Sequence, residues 1–211
     1  TSLKKVNGSS QVKNIGGCSF YNCVALTTID LQGVESIGGY AFHGCEALAI
    51  DLTGLLSKVT NLYLGTFYNT KVTGTLSMPL LESIQYGNIQ RQAFESADLT
   101  RIENLGKITT IPAGYNRNYP GVFGKNVNLT YVRLPSTLES IGAYTFYGDA
   151  SLQTVICDAV TPPTLGASVF EATNSTFTIY VPDESVEAYK AATNWLTYAA
   201  QIKGISELPT E

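Results

Sequence analysis

The chain has 211 residues, of which 44% are hydrophobic, which is enough to form the core of one ordinary domain or one solenoid. The 13 lysine and arginine residues are outnumbered by 17 aspartate and glutamate residues, so no basic stripe is available to neutralise nucleic-acid phosphates. No apolar stretch approaches the roughly 20 residues that cross a bilayer. We therefore expect neither a nucleic-acid partner nor a membrane-spanning segment.

The clearest feature of the sequence is an internal repeat. Segments 15–26 and 37–48 read IGGCSFYNCVAL and IGGYAFHGCEAL, and seven of their twelve positions are identical. The phenylalanine of this segment recurs at intervals of 22 to 29 residues, as expected for a solenoid in which each unit makes one turn. It occurs as Phe20, Phe42, Phe67, Phe94, Phe123, Phe146 and Phe170.

Each phenylalanine is followed three residues later by a small residue. With the exception of Ala97, these residues carry a short group that can hydrogen-bond to the backbone of a tight turn. We therefore predict a turn after each phenylalanine, in which these side chains bond to the backbone. They are Cys23, Cys45, Thr70, Asn126, Asp149 and Thr173.

Short strand-like runs with alternating apolar positions begin about six residues after the phenylalanines. Such alternation places one side of a strand in a core and leaves the other side in solvent. One unit alone cannot bury its Phe, Leu and Ile side chains, so we predict a right-handed superhelix of stacked coils. The runs are 26–31, 48–52, 99–105, 129–134, 152–157 and 177–181, and a second motif, ESI, opens the other side of the coil at 35–37, 82–84 and 139–141.

The pattern IGxxxFxxCxxLxxIxL, as in residues 15–31, resembles the BspA-like class of leucine-rich repeats, found in bacterial surface proteins, particularly of Bacteroidetes, and in some protist surface proteins. The resemblance extends from about Leu3 to Val181, although the third to fifth units are irregular in length. It implies a leucine-rich-repeat solenoid, a β-dominated β/α superhelix with short irregular or helical convex segments, of about seven coils plus a C-terminal capping helix. It also implies surface location and adhesive or other binding roles, without a fixed ligand.

We expect residues 1–181 to form the repeats and residues 182–211 to form a C-terminal cap of the same structural domain. Asp183 is suited to cap a helix of about 184–194, which should lie across the final coil and be followed by a short strand. Acidic residues favour the positive end of this helix, and apolar residues mark one side of it. They are Glu184 and Glu187, and Val186, Tyr189 and Leu196, respectively.

The N-terminal residues match the repeat in its middle. Leu3 and Val6 precede Leu26 and Ile29 by 23 residues each, so the chain is expected to start inside a coil. Our hypothesis is that further sequence, for example a lipid-anchored leader, precedes Thr1 in the full gene product.

Two insertions fall at the same point of consecutive coils. The isoleucine that precedes each phenylalanine is normally five residues away, but it lies ten residues before Phe94 and twelve before Phe123. The inserted segments 86–92 and 112–121 are rich in Tyr, Asn, Gly and Arg, the composition of adaptable binding loops. We predict that they project side by side and bind a ligand, whereas the alternative is that solenoid loops simply tolerate polar insertions. The predicted residues are Tyr86, Asn88, Arg91, Tyr115, Asn116, Arg117 and Tyr119.

A second candidate surface is the outward row of the strand-like runs. In leucine-rich repeats this row lines the concave sheet, where large ligands are often held. The alternative is an ordinary strand surface, because Thr and Tyr are good strand formers in any context. The predicted ligand-binding residues are Thr28, Asp30, Arg101, Tyr131, Arg133, Thr154 and Tyr180, with Glu103, Ile156 and Thr178 in the same row.

The sequence contains no catalytic constellation, so we predict a protein that is not an enzyme and that uses no cofactor or metal. His43, the only histidine, occupies the position that Tyr21, Tyr68 and Tyr147 occupy in other coils, which favours an exposed ladder residue over a catalyst. No HExxH, GxSxG, Walker or GxGxxG motif occurs.

The cysteines and two acidic residues also favour structural roles. Cys23 and Cys45 fall on successive coils, where we expect free, buried thiols that bond to turns, with a disulfide as the alternative. Asp30 and Asp51 occupy outward positions of adjacent coils, and we expect solvated acids rather than a shared cation because calcium needs six to eight oxygen ligands. The remaining cysteines are Cys18 and Cys157, and no CxxC pair occurs.

These observations favour a non-enzymatic interaction module at the cell surface or secreted, adhesin-like, which binds an extracellular protein or glycoprotein of a host or a neighbouring cell. We expect a monomer. The second hypothesis is a structural spacer that presents another domain of a larger surface protein. A carbohydrate-binding protein comes third, because its only support is the abundance of tyrosines as sugar platforms.

Overall fold

The structure is a computed structural model that describes residues 2–7, 11–85 and 91–210. The chain winds into a parallel β-solenoid of about eight turns, followed by a short C-terminal helix. Fifteen short strands lie within the described ranges, in the chain order β1 Lys5–Val6, β2 Asn14–Ile15, β3 Thr28–Ile29, β4 Ser36–Ile37, β5 Asn61–Leu62, β6 Thr75–Ser77, β7 Ser83–Ile84, β8 Arg101–Asn104, β9 Thr110–Ile111, β10 Tyr131–Leu134, β11 Ser140–Ile141, β12 Thr154–Cys157, β13 Thr164–Leu165, β14 Thr178–Val181 and β15 Ile202–Gly204.

The first face of the solenoid is a parallel sheet with the strand order β15-β14-β12-β10-β8-β6. In the N-terminal coils β1 pairs with β3, and a single bridge joins Asp51 to Thr73. Tyr131 lies opposite Arg101 on one side and opposite Thr154 on the other, so the predicted strand row is continuous across this sheet. The predicted runs therefore coincide with strands or bridges, whereas β6 was not predicted.

The second face consists of two-residue strands that end in isoleucine or leucine. β2 pairs with β4, β5 pairs with β7, and β11 pairs with both β9 and β13, all in parallel. The prediction that the ESI motif opens another side of each coil is confirmed at Ser36–Ile37, Ser83–Ile84 and Ser140–Ile141. The coils therefore contribute short strands or bridges to two faces.

A ladder of phenylalanine rings fills the core between these faces. Successive rings from Phe20 to Phe170 stack nearly parallel, with centroids 5.1 to 6.2 Å apart. Phe42 to Phe146 are fully buried. Tyr198 then contacts the ring of Phe170 edge to face at 5.5 Å, where a further phenylalanine would stand. The predicted leucine-rich-repeat solenoid is confirmed, with about eight turns against the predicted number of about seven.

The residues three positions after the phenylalanines were predicted to bond to the turn backbone, and this is confirmed in several turns. Thr70 Oγ1 donates to the carbonyl of Phe67 at 2.9 Å, and Thr173 Oγ1 donates to that of Phe170 at 2.8 Å. Cys45 Sγ instead donates to Phe20 of the preceding coil, at 3.0 Å. The short side chains therefore bond the backbone within a coil or between two coils.

The glycines of the duplicated IGG segment allow the coils to approach closely. A Cβ atom built on Gly38 would lie 2.5 Å from the backbone nitrogen and 2.8 Å from the Cα of Gly17 in the preceding coil. No side chain fits at that separation, so this position requires glycine for a steric reason.

The C-terminal segment covers the last regular coil with a helix, α1, at Val186–Ala191, which is shorter than the predicted 184–194. In regular coils the carbonyls of Ile111 and Ile141 accept backbone N–H groups from the next coil. In the last coil, side chains of the cap supply the donors. Asn194 donates to Leu165, Trp195 to Pro163, Ser185 to Val160 and Tyr189 to Ala159, at 2.6 to 2.7 Å.

Two predictions about the cap were wrong. Asp183 does not cap the helix, since its carboxylate accepts hydrogen bonds from the backbone and hydroxyl of Ser206 at 3.1 and 2.9 Å. Leu196 is 59% exposed, because its neighbour Trp195 enters the core instead. Tyr189 is fully buried, as predicted for the apolar side.

Candidate interaction surfaces

The described end of the first insertion, Arg91–Gln92, contacts the second insertion. Arg91 Nη1, at the end of the first insertion, donates to the carbonyl of Asn118 in the second insertion at 3.2 Å. Tyr86 and Asn88, two of the predicted ligand-binding residues, fall outside the described residues. The second insertion, 112–121, is described completely and is called the hairpin below.

The hairpin is a tight, hydrogen-bonded turn. Tyr115 N donates to Tyr119 O at 2.9 Å, and Tyr119 N donates to Asn116 O at 3.1 Å. The side-chain oxygen of Asn116 accepts from the backbone of Asn118 at 2.8 Å, the pattern of an Asx turn. Asn116 therefore builds the turn, and its side-chain carbonyl is already engaged.

Two of the predicted residues project from the tip. Tyr115 is 67% exposed, the highest value among the large hydrophobic side chains of the described residues. Arg117 is 65% exposed and forms an ion pair with Glu171, at 2.7 Å, across the intervening coil. An exposed aromatic ring and a guanidinium therefore stand together on a backbone that is held by hydrogen bonds.

Arg91 lies under the hairpin rather than at its tip. Its guanidinium carbon is 4.8 Å from the ring centroid of Tyr68 and 4.6 Å from that of Tyr119. The Nη1 atom also pairs with Glu95 at 2.9 Å. Burial raises the pKa of the Glu95 carboxyl, against the opposing effects of Arg91 and of a hydrogen bond from the backbone of Gln92.

Arg91 continues a row of stacked side chains on the surface, called here the surface ladder. His43 lies between Tyr21, on which it stacks, and Tyr68, to which it is tilted by 35°, with centroid separations of 4.7 Å on both sides. The predicted ladder position of His43 is confirmed, although the ring is half-buried, and burial lowers its pKa. The members of the surface ladder are Tyr21, His43, Tyr68, Arg91 and Tyr119. Tyr68 and Glu95 were not predicted to belong to a site, although each directly follows a repeat phenylalanine.

The strand row carries its charged groups in pairs. Arg101 lies over the ring of Tyr131 at 3.9 Å and contacts Glu103 at 2.9 Å. Arg133 binds both carboxylate oxygens of Asp158, at 2.8 and 3.0 Å. An open cleft of about 510 Å³ lies beside them, and its lining includes Arg101, Thr130, Tyr131, Gln153, Thr154, Leu208 and Pro209.

The ends of the predicted row differ from its middle. Thr28 and Asp30 are exposed in the N-terminal coils, but Asp30 accepts a backbone hydrogen bond from Gln32 at 2.8 Å, so its carboxylate helps to form a turn. The expected exposure of Tyr180 was wrong. Tyr180 is only 6% exposed, and the C-terminal segment Ile205–Glu207 lies against its strand, β14. Ile156 is also buried.

The cysteines are free thiols, as predicted for Cys23 and Cys45. Burial raises the pKa of the Cys45 thiol to about 11, so it is neutral at physiological pH. Within residues 2–7, 11–85 and 91–210, no three His, Cys, Asp or Glu side chains are grouped so as to hold a metal ion. Over the same described ranges, the helices are too short or too polar to cross a membrane.

Comparison with known proteins identifies the family of this chain. Among solved structures, the chain is similar to a leucine-rich repeat protein from Bacteroides ovatus ATCC 8483, at 17% identity and a TM-score of 0.35, over 81% of this chain and 59% of that chain. No curated protein matches it. The sequence model of the BspA type leucine rich repeat region matches residues 1–121 and 116–203, in six copies. The chain therefore belongs to the BspA-type leucine-rich repeat family.

Proposed function

We propose that this protein is a non-enzymatic interaction module, adhesin-like, which binds an extracellular protein or glycoprotein through the hairpin. The observation that carries the proposal is the presentation of Tyr115 and Arg117 on a turn that is fixed by its own hydrogen bonds. BspA-type repeats are typically associated with bacterial surfaces, which supports a cell-surface or secreted location.

The chemistry of the hairpin suits protein recognition. Tyrosine and arginine are, with tryptophan, the side chains enriched among residues that dominate binding energy, because they offer a large contact area with directional hydrogen bonds. A turn that is already ordered loses little conformational entropy when a partner binds. The backbone of the next coil also holds the base of the hairpin, since Gly114 N and Gly121 N donate to the carbonyls of Ala143 and Tyr144 at 2.7 Å.

The test is a binding screen of the purified chain against immobilised laminin, collagen and mucin and against a glycan array. The double variant Tyr115→Ala/Arg117→Ala removes both projecting groups and leaves Asn116 and Tyr119 to maintain the turn. We expect at least about a tenfold weaker Kd for a protein or glycoprotein, since truncating each of the two anchors costs about 1 kcal/mol or more and about 1.4 kcal/mol corresponds to tenfold.

The matched control is Tyr63→Ala, which removes a tyrosine that is 37% exposed outside the hairpin. This variant should bind as tightly as the wild type. Equal affinity of the wild type and the double variant, with unchanged melting temperatures, would contradict the proposed role of the hairpin. Signal on the glycan array alone would favour a carbohydrate-binding protein, and no binding by a well-folded sample would favour the spacer.

The strand row provides a second candidate surface, supported by the cleft beside Arg101 and Tyr131. Tyr131→Ala removes the ring that lies under the Arg101 guanidinium. If this variant loses binding that the hairpin variant retains, the strand row is the recognition surface.

A further inference from the structure

The tip and the base of the hairpin are fixed by different groups. Backbone hydrogen bonds from Gly114 and Gly121 to the next coil hold the base. The tip is held from the preceding coil, where Arg91 Nη1 donates to Asn118 O at 3.2 Å and the guanidinium stacks on the ring of Tyr119 at 4.6 Å. Lys125 Nζ also donates to Asn118 O, at 3.3 Å. Arg91 is therefore the only one of these groups that contacts both the backbone and a ring of the tip.

A buried carboxylate determines where Arg91 lies. The Glu95 side chain is 1% exposed, and its Oε1 atom pairs with Arg91 Nη1 at 2.9 Å. The other oxygen, Oε2, accepts the backbone N–H of Gln92 at 3.2 Å, which fixes the carboxylate within its own coil. Because a buried carboxylate without a partner is costly, the arginine is held in place strongly. The ring of Tyr68 closes the opposite side of the guanidinium, at 4.8 Å.

We propose that Glu95 and Arg91 are a positioning pair, which transmits the rigid geometry of the solenoid core to the tip of the hairpin and so prepares Tyr115 and Arg117 for a protein partner. This inference rests on the proposed function for its last step only. The mechanical step, from the buried carboxylate to the ordered tip, is independent of any ligand.

The planar guanidinium is essential to this role. It stacks between two aromatic rings while the same Nη1 atom donates to a carboxylate and to a carbonyl, a combination that a lysine ammonium cannot reproduce. Arg91→Lys should therefore keep the ion pair with Glu95 and restore only part of the order of the tip. Arg91→Met should restore none of it.

The experiment is amide hydrogen exchange of the full chain, measured residue by residue by NMR. In Arg91→Met, the protection factors of the Tyr115 and Tyr119 amides should fall about tenfold or more, whereas those of Gly114 and Gly121 at the base should change less than twofold. The matched control is Arg101→Met, which removes a guanidinium that also lies over a tyrosine and beside a glutamate, but on the first face of the solenoid. It should leave the tip amides unchanged.

Arg91→Met alone leaves Glu95 buried without its cation, and so it can destabilise the fold. The double variant Arg91→Met/Glu95→Gln removes the buried charge and retains an acceptor for the backbone of Gln92. It should fold and show the same loss of protection at the tip. Unchanged protection in this double variant would overturn the proposal.

A binding measurement distinguishes the positioning proposal from the proposed function. Arg91→Met/Glu95→Gln should bind the partner identified in the screen about tenfold more weakly, although Tyr115 and Arg117 are both present. If protection falls but affinity does not change, Glu95 and Arg91 order the tip, and the proposed recognition role of the hairpin is wrong. If affinity falls without a loss of protection, the positioning pair is overturned and Arg91 contacts the partner itself.

Discussion

The protein contains two stacks of flat side chains, one inside the solenoid and one on its outside. The inner ladder uses phenylalanine in every coil from Phe20 to Phe170, and its centroids are 5.1 to 6.2 Å apart. The surface ladder, from Tyr21 to Tyr119, has separations of 4.6 to 4.8 Å but contains tyrosine, histidine and arginine. Both follow the spacing of the coils, and only the inner ladder keeps a single residue type.

The difference is explained by what surrounds each ladder. Phe67 is fully buried, so a smaller side chain there would leave a cavity that neighbouring groups cannot fill. Tyr68, the next residue, is partly exposed, and water occupies any space that a smaller side chain leaves. A surface position can therefore change its chemistry while the stack is preserved, and the replacement of an aromatic ring by Arg91 connects the stack to the hairpin.

The largest change in the free energy of unfolding is expected from a pair of adjacent residues, one in each ladder. Phe67→Ala should lower the free energy of unfolding by about 3–5 kcal/mol, because it removes a ring that stacks on both Phe42 and Phe94 at 5.1 to 5.2 Å. Tyr68→Ala should cost only about 1 kcal/mol. Urea denaturation followed by circular dichroism measures both, and equal losses would contradict the distinction between the ladders.

A polar residue inside the solenoid provides the second test. Asn126 is buried, and its amide donates to the carbonyls of Phe123 and Phe94 at 2.5 and 2.8 Å. The equivalent residue one coil later is Asp149, whose Oδ1 accepts from the backbone of Asn126 at 2.9 Å. Its Oδ2 atom makes no hydrogen bond within the described part of the chain. Asp149→Asn should therefore stabilise the protein by about 1–3 kcal/mol at pH 7, since the amide supplies the missing donor.

The stability gained by Asp149→Asn should depend on pH, and its direction follows from the pKa of Asp149. Burial raises the pKa of Asp149 well above its usual value, so the folded state favours the neutral acid. The stability that the raised pKa contributes to the wild type is fully present below the unfolded pKa of about 3.9. It is lost as the pH rises through the folded pKa. The advantage of Asp149→Asn should therefore shrink as the pH approaches about 4. The reverse substitution, Asn126→Asp, should destabilise at pH 7, and a stable Asn126→Asp variant would contradict this account.

The smallest effect is expected from His43→Tyr in the surface ladder. The variant restores the residue type of Tyr21 and Tyr68, so at pH 7.5 its stability should lie within about 0.5 kcal/mol of the wild type. Burial lowers the pKa of His43, and the stability that this shift provides is present above the unfolded pKa of about 6.5 and is lost as the pH falls through the lower folded pKa. His43 is the only histidine. Urea midpoints measured between pH 7.5 and 5 should therefore decline less in the variant, and parallel pH profiles would rule this out.

Much of the fold could be predicted because every coil of a solenoid packs in the same way. The phenylalanine ladder, the ESI strands and the turn-bonding side chains after phenylalanine all follow from periodicity, since each coil buries the same positions against its neighbours. The cap was predicted less well. Its helix is shorter than expected and Asp183 bonds to Ser206 instead, because that partner lies 23 residues away in sequence.

The candidate surfaces could be located but not resolved in detail. The extra length before Phe94 and Phe123 revealed the insertions, and their composition indicated exposed aromatic and basic residues. Arg117 lies at the tip and Arg91 lies beneath it. This difference depends on the buried carboxylate of Glu95, which no local sequence pattern reveals. The burial of Tyr180 likewise depends on the C-terminal segment that returns over β14.

The four side-chain donors of the cap affect whether a second molecule can add to this end of the solenoid. A stack of similar coils presents at each end a row of unpaired backbone groups, and a strand of another molecule can add to such an edge. Head-to-tail growth of a filament needs two complementary free ends. Asn194, Trp195, Ser185 and Tyr189 already donate to four carbonyls of the last coil, those of Leu165, Pro163, Val160 and Ala159. The cap thus makes strand addition by a second molecule less favourable at these positions.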